Sequence, residues 1–97
     1  YMLTSDQVPD PDNLNIRLVL NGEEVQNSNT SDLIFNVVQT IAYASSICTL
    51  EPGDVIMTGT PSGVGFTRKP PIYLKDGDVM TVEIEGLGSL TNPVVQD

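Results

Sequence analysis

Hydrophobic and polar residues alternate near the start of the chain and predict a β-hairpin. Apolar side chains occupy every second position of the first such stretch, which is the period of a half-buried strand. These positions are Leu14, Ile16, Leu18 and Leu20. The pair Asn21-Gly22 that follows suits the positive φ angles of a tight turn. We therefore expect residues 23–27 to return antiparallel to the first strand.

The period then changes from two to that of an amphipathic helix. Apolar or small residues recur at i, i+3, i+4 and i+7, which places them on one face of a helix. They are Ile34, Val37, Val38, Ile41, Ala42 and Ser45. The spacing predicts a helix over about 33–47 whose apolar stripe packs on a sheet. Its N-cap is expected among Thr30, Ser31 and Asp32.

The second half of the chain reads as strands separated by turns. After the turn at Pro52-Gly53, residues 55–58 ("VIMT") form a short apolar run typical of a fully buried strand. Residues 79–86 alternate again, with Met80, Val82 and Ile84 on the inward side. The stretch "GLGSLTNPVV" supplies a turn and a last strand. The fold class predicted is α+β, mostly β, with about five strands and one main helix.

Charge and length limit the classes of partner. The 97 residues carry thirteen acidic and four basic side chains, a formal net charge of −9. Such a surface repels nucleic acid and anionic membranes, so neither is expected as a partner. No apolar run approaches the roughly 20 residues of a membrane span. We expect a soluble, cytoplasmic protein.

The residue types that most often perform catalysis are scarce. The chain has no histidine and a single cysteine, Cys48. Without histidine, every Ser-His or Cys-His arrangement is excluded. Cys48 lies among apolar neighbours, which favours a buried structural role. The sequence therefore offers no candidate catalytic residue.

The most distinctive segment is the glycine-rich stretch "MTGTPSGVG" at residues 57–65. A phosphate loop would end in Gly-Lys-Ser/Thr, and this stretch ends in Gly-Val-Gly. A dinucleotide-binding turn would need a glycine at the position of Arg68. Two interpretations remain. One is a turn whose backbone and the hydroxyls of Thr58 and Thr60 bind an enolate or carboxylate oxygen. The other is an ordinary tight turn.

Several charged groups could bind a ligand, but each has a simpler interpretation. Glu83 and Glu85 share one strand face and could hold a divalent metal, although a solvated face gives the same spacing. The pair Arg68-Lys69 could steer an anionic substrate or belong to a solvated loop. A third group of acidic residues lies near the start of the chain: Asp6, Asp10 and Asp12. They are better explained as exposed turn residues than as a calcium-binding loop. We expect no metal ligand in the chain.

Four segments, in this order and spacing, closely resemble the C-terminal portion of the fumarylacetoacetate hydrolase family. They are "NTSDLIF", "LEPGDVIMTGTPSGVG", "LKDGD" and "VEIEGLGSLTNPV". The resemblance covers nearly all of residues 1–97 and implies a mixed β-sheet roll. It also implies a homodimeric enzyme that depends on Mg²⁺ or Mn²⁺ and acts on small oxo-acids or diketo-acids, as in aromatic catabolism. The reactions are C–C bond cleavage, decarboxylation or isomerisation.

The resemblance assigns the glycine-rich turn a role in binding substrate. By analogy with the family, Thr60 contacts the substrate carboxylate, and Gly59 and Thr58 shape the same wall. The family's metal ligands and its histidine-glutamate pair lie upstream of the matched region. Residues 1–97 are therefore expected to be the C-terminal part of a longer catalytic domain, inactive alone. The alternative is a single-domain binding or scaffold module that keeps the fold without the metal site.

Overall fold

One antiparallel sheet forms where the hydrophobic alternation predicts strands. A computed structural model describes residues 2–96 of the chain. Its four strands lie in the order β2-β1-β3-β4, and every neighbouring pair is antiparallel. The α+β class is confirmed, but the prediction of about five strands in a mixed sheet is wrong for the described residues. The elements are β1 (Asn15–Leu20), β2 (Glu23–Asn29), α1 (Val37–Ile47), β3 (Val79–Ile84) and β4 (Gly88–Pro93).

The two central strands align their apolar residues. Ile16 pairs with Ile84, and Leu18 pairs with Val82. Side chains that face each other across neighbouring strands lie on the same face of the sheet, so these pairs form an apolar face. The polar pair between them, Arg17 and Glu83, lies on the other face. The alternation predicted for both strands is confirmed.

The predicted hairpin turn is present at residues 21–22. Asn21 has φ +51° and Gly22 has φ +85°, the signs that a two-residue hairpin loop requires. The β1–β2 register shifts once, between Leu18 and Val19. The extra residue of β2 at that shift is Val25, whose side chain is buried, with 9% of its surface exposed.

Residues 55–58 do not form the buried strand that the apolar run predicts. The structure assigns them no strand, and Val55 and Met57 are 88% and 94% exposed. A strand needs a neighbour for its backbone hydrogen bonds, and none of the four described strands pairs with this segment. The apolar run predicts burial, but it does not identify the surface that would cover it.

The helix begins later than predicted, at Val37 rather than near residue 33. Its N-cap is Asn36, whose side chain accepts from the backbone of Gln39 while Gln39 bonds back to the Asn36 nitrogen. Residues Thr30–Asp32, where the cap was predicted, instead form a short 3-10 helix. Because Asn36 and Gln39 form a complete capping box, they outcompete the earlier polar residues. The predicted end at residue 47 is confirmed.

The apolar stripe of α1 does not pack on the sheet as predicted. Val38 is 67% exposed and Ile41 is 44% exposed. Cys48, predicted to be buried, is also exposed. The physical reason is the same for all three: the described residues place no layer over this side of the helix.

Among residues 2–96, no helix is long and apolar enough to cross a membrane.

The long loop after the glycine-rich stretch is fastened to the sheet and to itself. The guanidinium of Arg68 donates to the backbone oxygen of Val25 on β2, a contact that neither interpretation of the Arg68-Lys69 pair predicted. Gly65 accepts from the backbone nitrogen of Ile72 at 2.9 Å. A second short 3-10 helix, Gly65–Thr67, immediately precedes Arg68.

Candidate functional site

A cleft of about 900 Å³ opens between the N-terminal half of α1 and the glycine-rich turn. Its size falls at the upper end of small-molecule sites, which span about 300–1,000 Å³. One wall is the segment that precedes and begins the helix, and the other is the turn. The cleft is lined by Leu33, Ile34, Phe35, Gln39, Thr40, Tyr43, Thr58, Gly59 and Thr60.

The turn wall consists of the three residues singled out from the sequence. Thr58, Gly59 and Thr60 all line the cleft. Gly59 has φ +101°, a conformation that residues with a side chain rarely adopt. An added Cβ at Gly59 would meet no atom within 4 Å, so the backbone angle and not crowding requires glycine here. That angle sets the direction in which the two threonines are presented, while their contact with a substrate stays a prediction.

A single side chain on β2 holds the turn in place. Gln26 Nε2 lies 3.0 Å from Thr60 Oγ1, 2.8 Å from the backbone oxygen of Pro61 and 3.0 Å from that of Ser62. The carboxamide therefore bridges the sheet and three consecutive residues of the loop. Pro61 is buried, although most of the neighbouring loop is exposed. The sheet positions the turn wall of the cleft through this contact.

The helix wall is positioned by the capping box of α1. Gln39 Oε1 accepts from the Asn36 nitrogen at 3.0 Å, and Thr40 Oγ1 donates to the Asn36 oxygen at 2.9 Å. Gln39 and Thr40 both line the cleft, and hydrogen bonds to the Asn36 backbone at the helix start fix the orientation of their side chains. Asp12 adds a bond from outside the helix, since its carboxylate accepts from the Val37 nitrogen at 2.8 Å.

The polar groups of the cleft are neutral, and several can donate a hydrogen bond. None of the lining residues is charged. The hydroxyls of Thr58 and Thr60 donate to no group within residues 2–96, and the same holds for the side-chain nitrogen Nε2 of Gln39. The apolar and aromatic residues of the cleft are Leu33, Ile34, Phe35 and Tyr43, and most of the lining residues are exposed. A mostly apolar cleft with a few neutral donors suits a small ligand that carries oxygen acceptors.

The carboxylates of β3 do not form a metal centre. Among residues 2–96, no three side chains of histidine, cysteine, aspartate or glutamate come together to hold a metal ion. Glu83 lies 2.5 Å from Arg17 Nε, and this hydrogen bond and its charge raise the pKa of Arg17 above its ordinary value. Glu85 accepts from the Asn15 nitrogen at 3.1 Å. Both carboxylates bond to β1 across the central β1–β3 pairing, so the described residues do not fit a divalent metal.

Sequence reasoning missed Gln26 and the helix wall of the cleft. Gln26 is an ordinary polar position on a strand, and only the folded chain brings it to a turn 34 positions later. Tyr43 and Thr40 belong to a helix whose predicted role was to cover the sheet. The signal that could have identified this wall is the segment "NTSDLIF", which carries Leu33, Ile34 and Phe35.

Comparisons with known proteins show which family this chain belongs to. The profile of the family described as "Fumarylacetoacetate (FAA) hydrolase C-terminal" matches residues 1–95. Oxaloacetate tautomerase fahd2, mitochondrial, from Xenopus laevis is 54% identical over 94 residues, which are 97% of this chain and 30% of that protein. The chain thus spans less than a third of that relative's length.

Solved structures share the fold at high identity. Fumarylacetoacetate hydrolase from the psychrophilic Exiguobacterium antarcticum superposes with a TM-score of 0.89 at 45% identity, over 98% of this chain and 34% of that one. Maleylpyruvate hydrolase from Sphingobium sp. SYK-6, in complex with manganese(II) and pyruvate, gives 0.82 at 41% identity, over 98% and 33%. With a family profile that covers 95 of its residues, the chain belongs to the fumarylacetoacetate hydrolase family, in its C-terminal region.

Proposed function

We propose that this chain forms the carboxylate-binding wall of a metal-dependent enzyme that acts on small oxo-acids or diketo-acids. The observation that carries the proposal is the cleft in which Thr58, Gly59 and Thr60 face the start of α1. Hydroxyl donors can bind a carboxylate or enolate oxygen through charge-assisted hydrogen bonds, which are stronger than those between neutral groups. The manganese and pyruvate bound by the Sphingobium relative support this class of ligand.

The metal belongs to residues outside this chain. The described residues do not fit a divalent cation, so we route no step of the chemistry through one. Mg²⁺ or Mn²⁺, when bound in the longer protein, would polarise the substrate's oxygens. The work of this chain is to accept and orient the carboxylate and to keep the reacting oxo-acid against an apolar wall. Hydrolysis of a C–C bond, decarboxylation and isomerisation all begin from that arrangement.

Binding and turnover by the full-length protein test the proposal. With Mn²⁺ present, we expect calorimetry to detect pyruvate binding, and we expect turnover of oxaloacetate or an acylpyruvate. Thr60→Val should weaken pyruvate binding about 10-fold or more, since a hydrogen bond to a charged group contributes about 1.5–3 kcal/mol. Thr60→Ser keeps the hydroxyl and should retain binding. Full-length protein that binds Mn²⁺ but neither pyruvate nor oxaloacetate would favour the binding or scaffold module instead.

Two further properties complete the proposal. We propose a homodimer for the full-length protein, as the family resemblance implies, and light scattering after size-exclusion chromatography measures it. A cytoplasmic location remains a prediction from the sequence. The name of the Xenopus relative describes that protein as mitochondrial.

A further inference from the structure

We propose that Gln26 is a positioning residue that reserves the hydroxyl hydrogen of Thr60 for an oxygen atom of the bound ligand. This inference rests on the proposed function, because it concerns the same cleft. It goes beyond it by assigning a role to a side chain on β2 that does not line the cleft. The argument depends on which atoms around Gln26 can donate and which can only accept.

The orientation of the Gln26 carboxamide is fixed by two backbone carbonyls. The oxygens of Pro61 and Ser62 lie 2.8 Å and 3.0 Å from Nε2. Carbonyl oxygens only accept, so the –NH₂ end of the carboxamide must face the turn. A flipped carboxamide would bring its own oxygen against two other oxygens. The side chain therefore presents donors, and no acceptor, to residues 60–62.

This orientation determines what Thr60 can do. Thr60 Oγ1 lies 3.0 Å from the same Nε2. Nε2 has two hydrogens for three acceptors, so one hydrogen is shared between two of them. An amide nitrogen does not accept, so Thr60 can only accept in this contact and its own hydrogen stays unused. Thr60 makes no other side-chain hydrogen bond with residues 2–96. Since Thr60 also lines the cleft, its remaining hydrogen is available to a ligand there.

Gln26 is held firmly enough to impose this choice. It lies in β2, directly across from Leu18 of the central strand β1. Its Cγ lies against Gly63, where an added Cβ would be 3.1 Å away. Gly63 has φ +107°, so a side chain there is disfavoured by its backbone as well. The neighbouring Val25 oxygen accepts from Arg68. The strand thus holds the loop within the glycine-rich turn and again at Arg68, and a site built on a strand is more precise than one on a loop.

A donor prepared in advance matters because the cleft has no charged side chain among its lining residues. A threonine hydroxyl otherwise rotates and can present either its hydrogen or its lone pairs to a ligand. Gln26 removes that choice before the ligand arrives, which lowers the cost of ordering on binding. The ligand class that benefits is one with an oxygen acceptor, such as an oxo-acid carboxylate.

The test measures pyruvate binding to the full-length protein in the presence of Mn²⁺. We expect Gln26→Met to weaken binding about 3-fold, because the hydroxyl regains free rotation among its three staggered positions. Gln26→Glu keeps the shape of the side chain but offers an acceptor that takes the Thr60 hydrogen, and it should lose at least as much. Glu23→Gln, a polar change on the same strand at a side chain without a hydrogen bond in residues 2–96, should bind as the unaltered protein does.

A double variant separates positioning from a general structural role. If Gln26 acts through Thr60, Gln26→Met should cost little further affinity once Thr60→Val is present. Fully additive losses would overturn the inference, because Gln26 would then act only on the shape of the turn. Unchanged binding in Gln26→Glu would overturn it too, and this variant carries the test if Gln26→Met does not fold. If the unaltered protein binds Mn²⁺ but no pyruvate, the proposed function fails, and this inference fails with it.

Discussion

The carboxylate of Asp12 accepts a hydrogen bond from the backbone nitrogen of Val37 at 2.8 Å, which ties the opening turns of the chain to the first residue of α1. The first N–H groups of a helix have no partner within the helix. Asn36 satisfies one of them, at Gln39, and Asp12 satisfies another from 25 positions away. The helix wall of the cleft therefore depends on a residue that the sequence suggested was only part of an exposed turn.

Replacing Asp12 should destabilise the protein and loosen this wall. We expect Asp12→Ala to lower the free energy of unfolding by about 1 kcal/mol, the usual cost of losing a helix cap. Urea unfolding of the full-length protein measures the change. Asp6→Ala is the matched control, since Asp6 is exposed and accepts no hydrogen bond in residues 2–96. Equal stability of the two variants would show that the contact with Val37 contributes nothing.

Gly59 and Gly53 allow a comparison of strain with function. Both have φ +101°, and an added Cβ at either would meet nothing within 4 Å. Alanine at either position should cost about 1–3 kcal/mol of stability through backbone strain alone. Only Gly59 lines the cleft. We therefore expect Gly59→Ala to weaken pyruvate binding and Gly53→Ala to leave it intact, and a loss of binding in both would refute a specific role for Gly59.

Asp78 should make stability depend on pH. Hydrogen bonds from Asn21 Nδ2 at 2.9 Å and from the backbone nitrogen of Lys75 at 2.8 Å hold the pKa of Asp78 below the ordinary 3.8. Because these bonds favour the charged form, their stabilisation is complete above the ordinary pKa and is lost as pH falls through the lowered value. At pH 6 we expect the unaltered protein to have a higher melting temperature than the Asp78→Asn variant.

The difference in melting temperature should shrink as the pH is lowered below about 4. Asp6→Asn, at an exposed position, should show no such convergence with the unaltered protein. A gap for Asp78→Asn that stayed constant from pH 6 to strongly acidic solution would contradict the assigned role of the carboxylate.

The exposed apolar residues should behave differently in the isolated chain and in the full-length protein. Met57 is exposed in this structure, yet an apolar run of this kind is typical of a buried strand. In the isolated chain, Met57→Lys should reduce aggregation, measured by light scattering, without loss of structure. In the full-length protein it should cost about 1.5–3 kcal/mol, the contribution of burying such a side chain. Equal effects in both would mean that no other part of the protein covers residue 57.

Local patterns predicted the features that depend on neighbours in the sequence. The alternation around Leu18 and Val82 and the Asn21-Gly22 turn each specify their own backbone, and the structure shows them as predicted. The run at 55–58 failed because its partner strand is not encoded in the segment itself. The start of α1 failed because several polar residues compete for the cap, and only the capping box of Asn36 decides the competition.

The candidate site was predictable in part for the same reason. Glycine at position 59 reports a backbone requirement that is visible in the sequence, so Thr58 and Thr60 could be named beside it. Gln26 could not, since its contact with Thr60 depends on the β1–β2 register and on the path of the loop. No property of an isolated glutamine on a strand distinguishes such a contact from exposure to solvent.

The order of the strands has a consequence for how the chain folds. β1 lies beside β3, and Arg17 and Glu83 meet across a sequence separation of 66. The hairpins β1–β2 and β3–β4 close over short loops, whereas their junction must close a long one, and contacts of large sequence separation form slowly. On the ribosome, β1 and β2 emerge well before their neighbour has been synthesised. We expect the two hairpins to form first and the centre of the sheet to assemble last, so the glycine-rich turn is held by β2 before the sheet is complete.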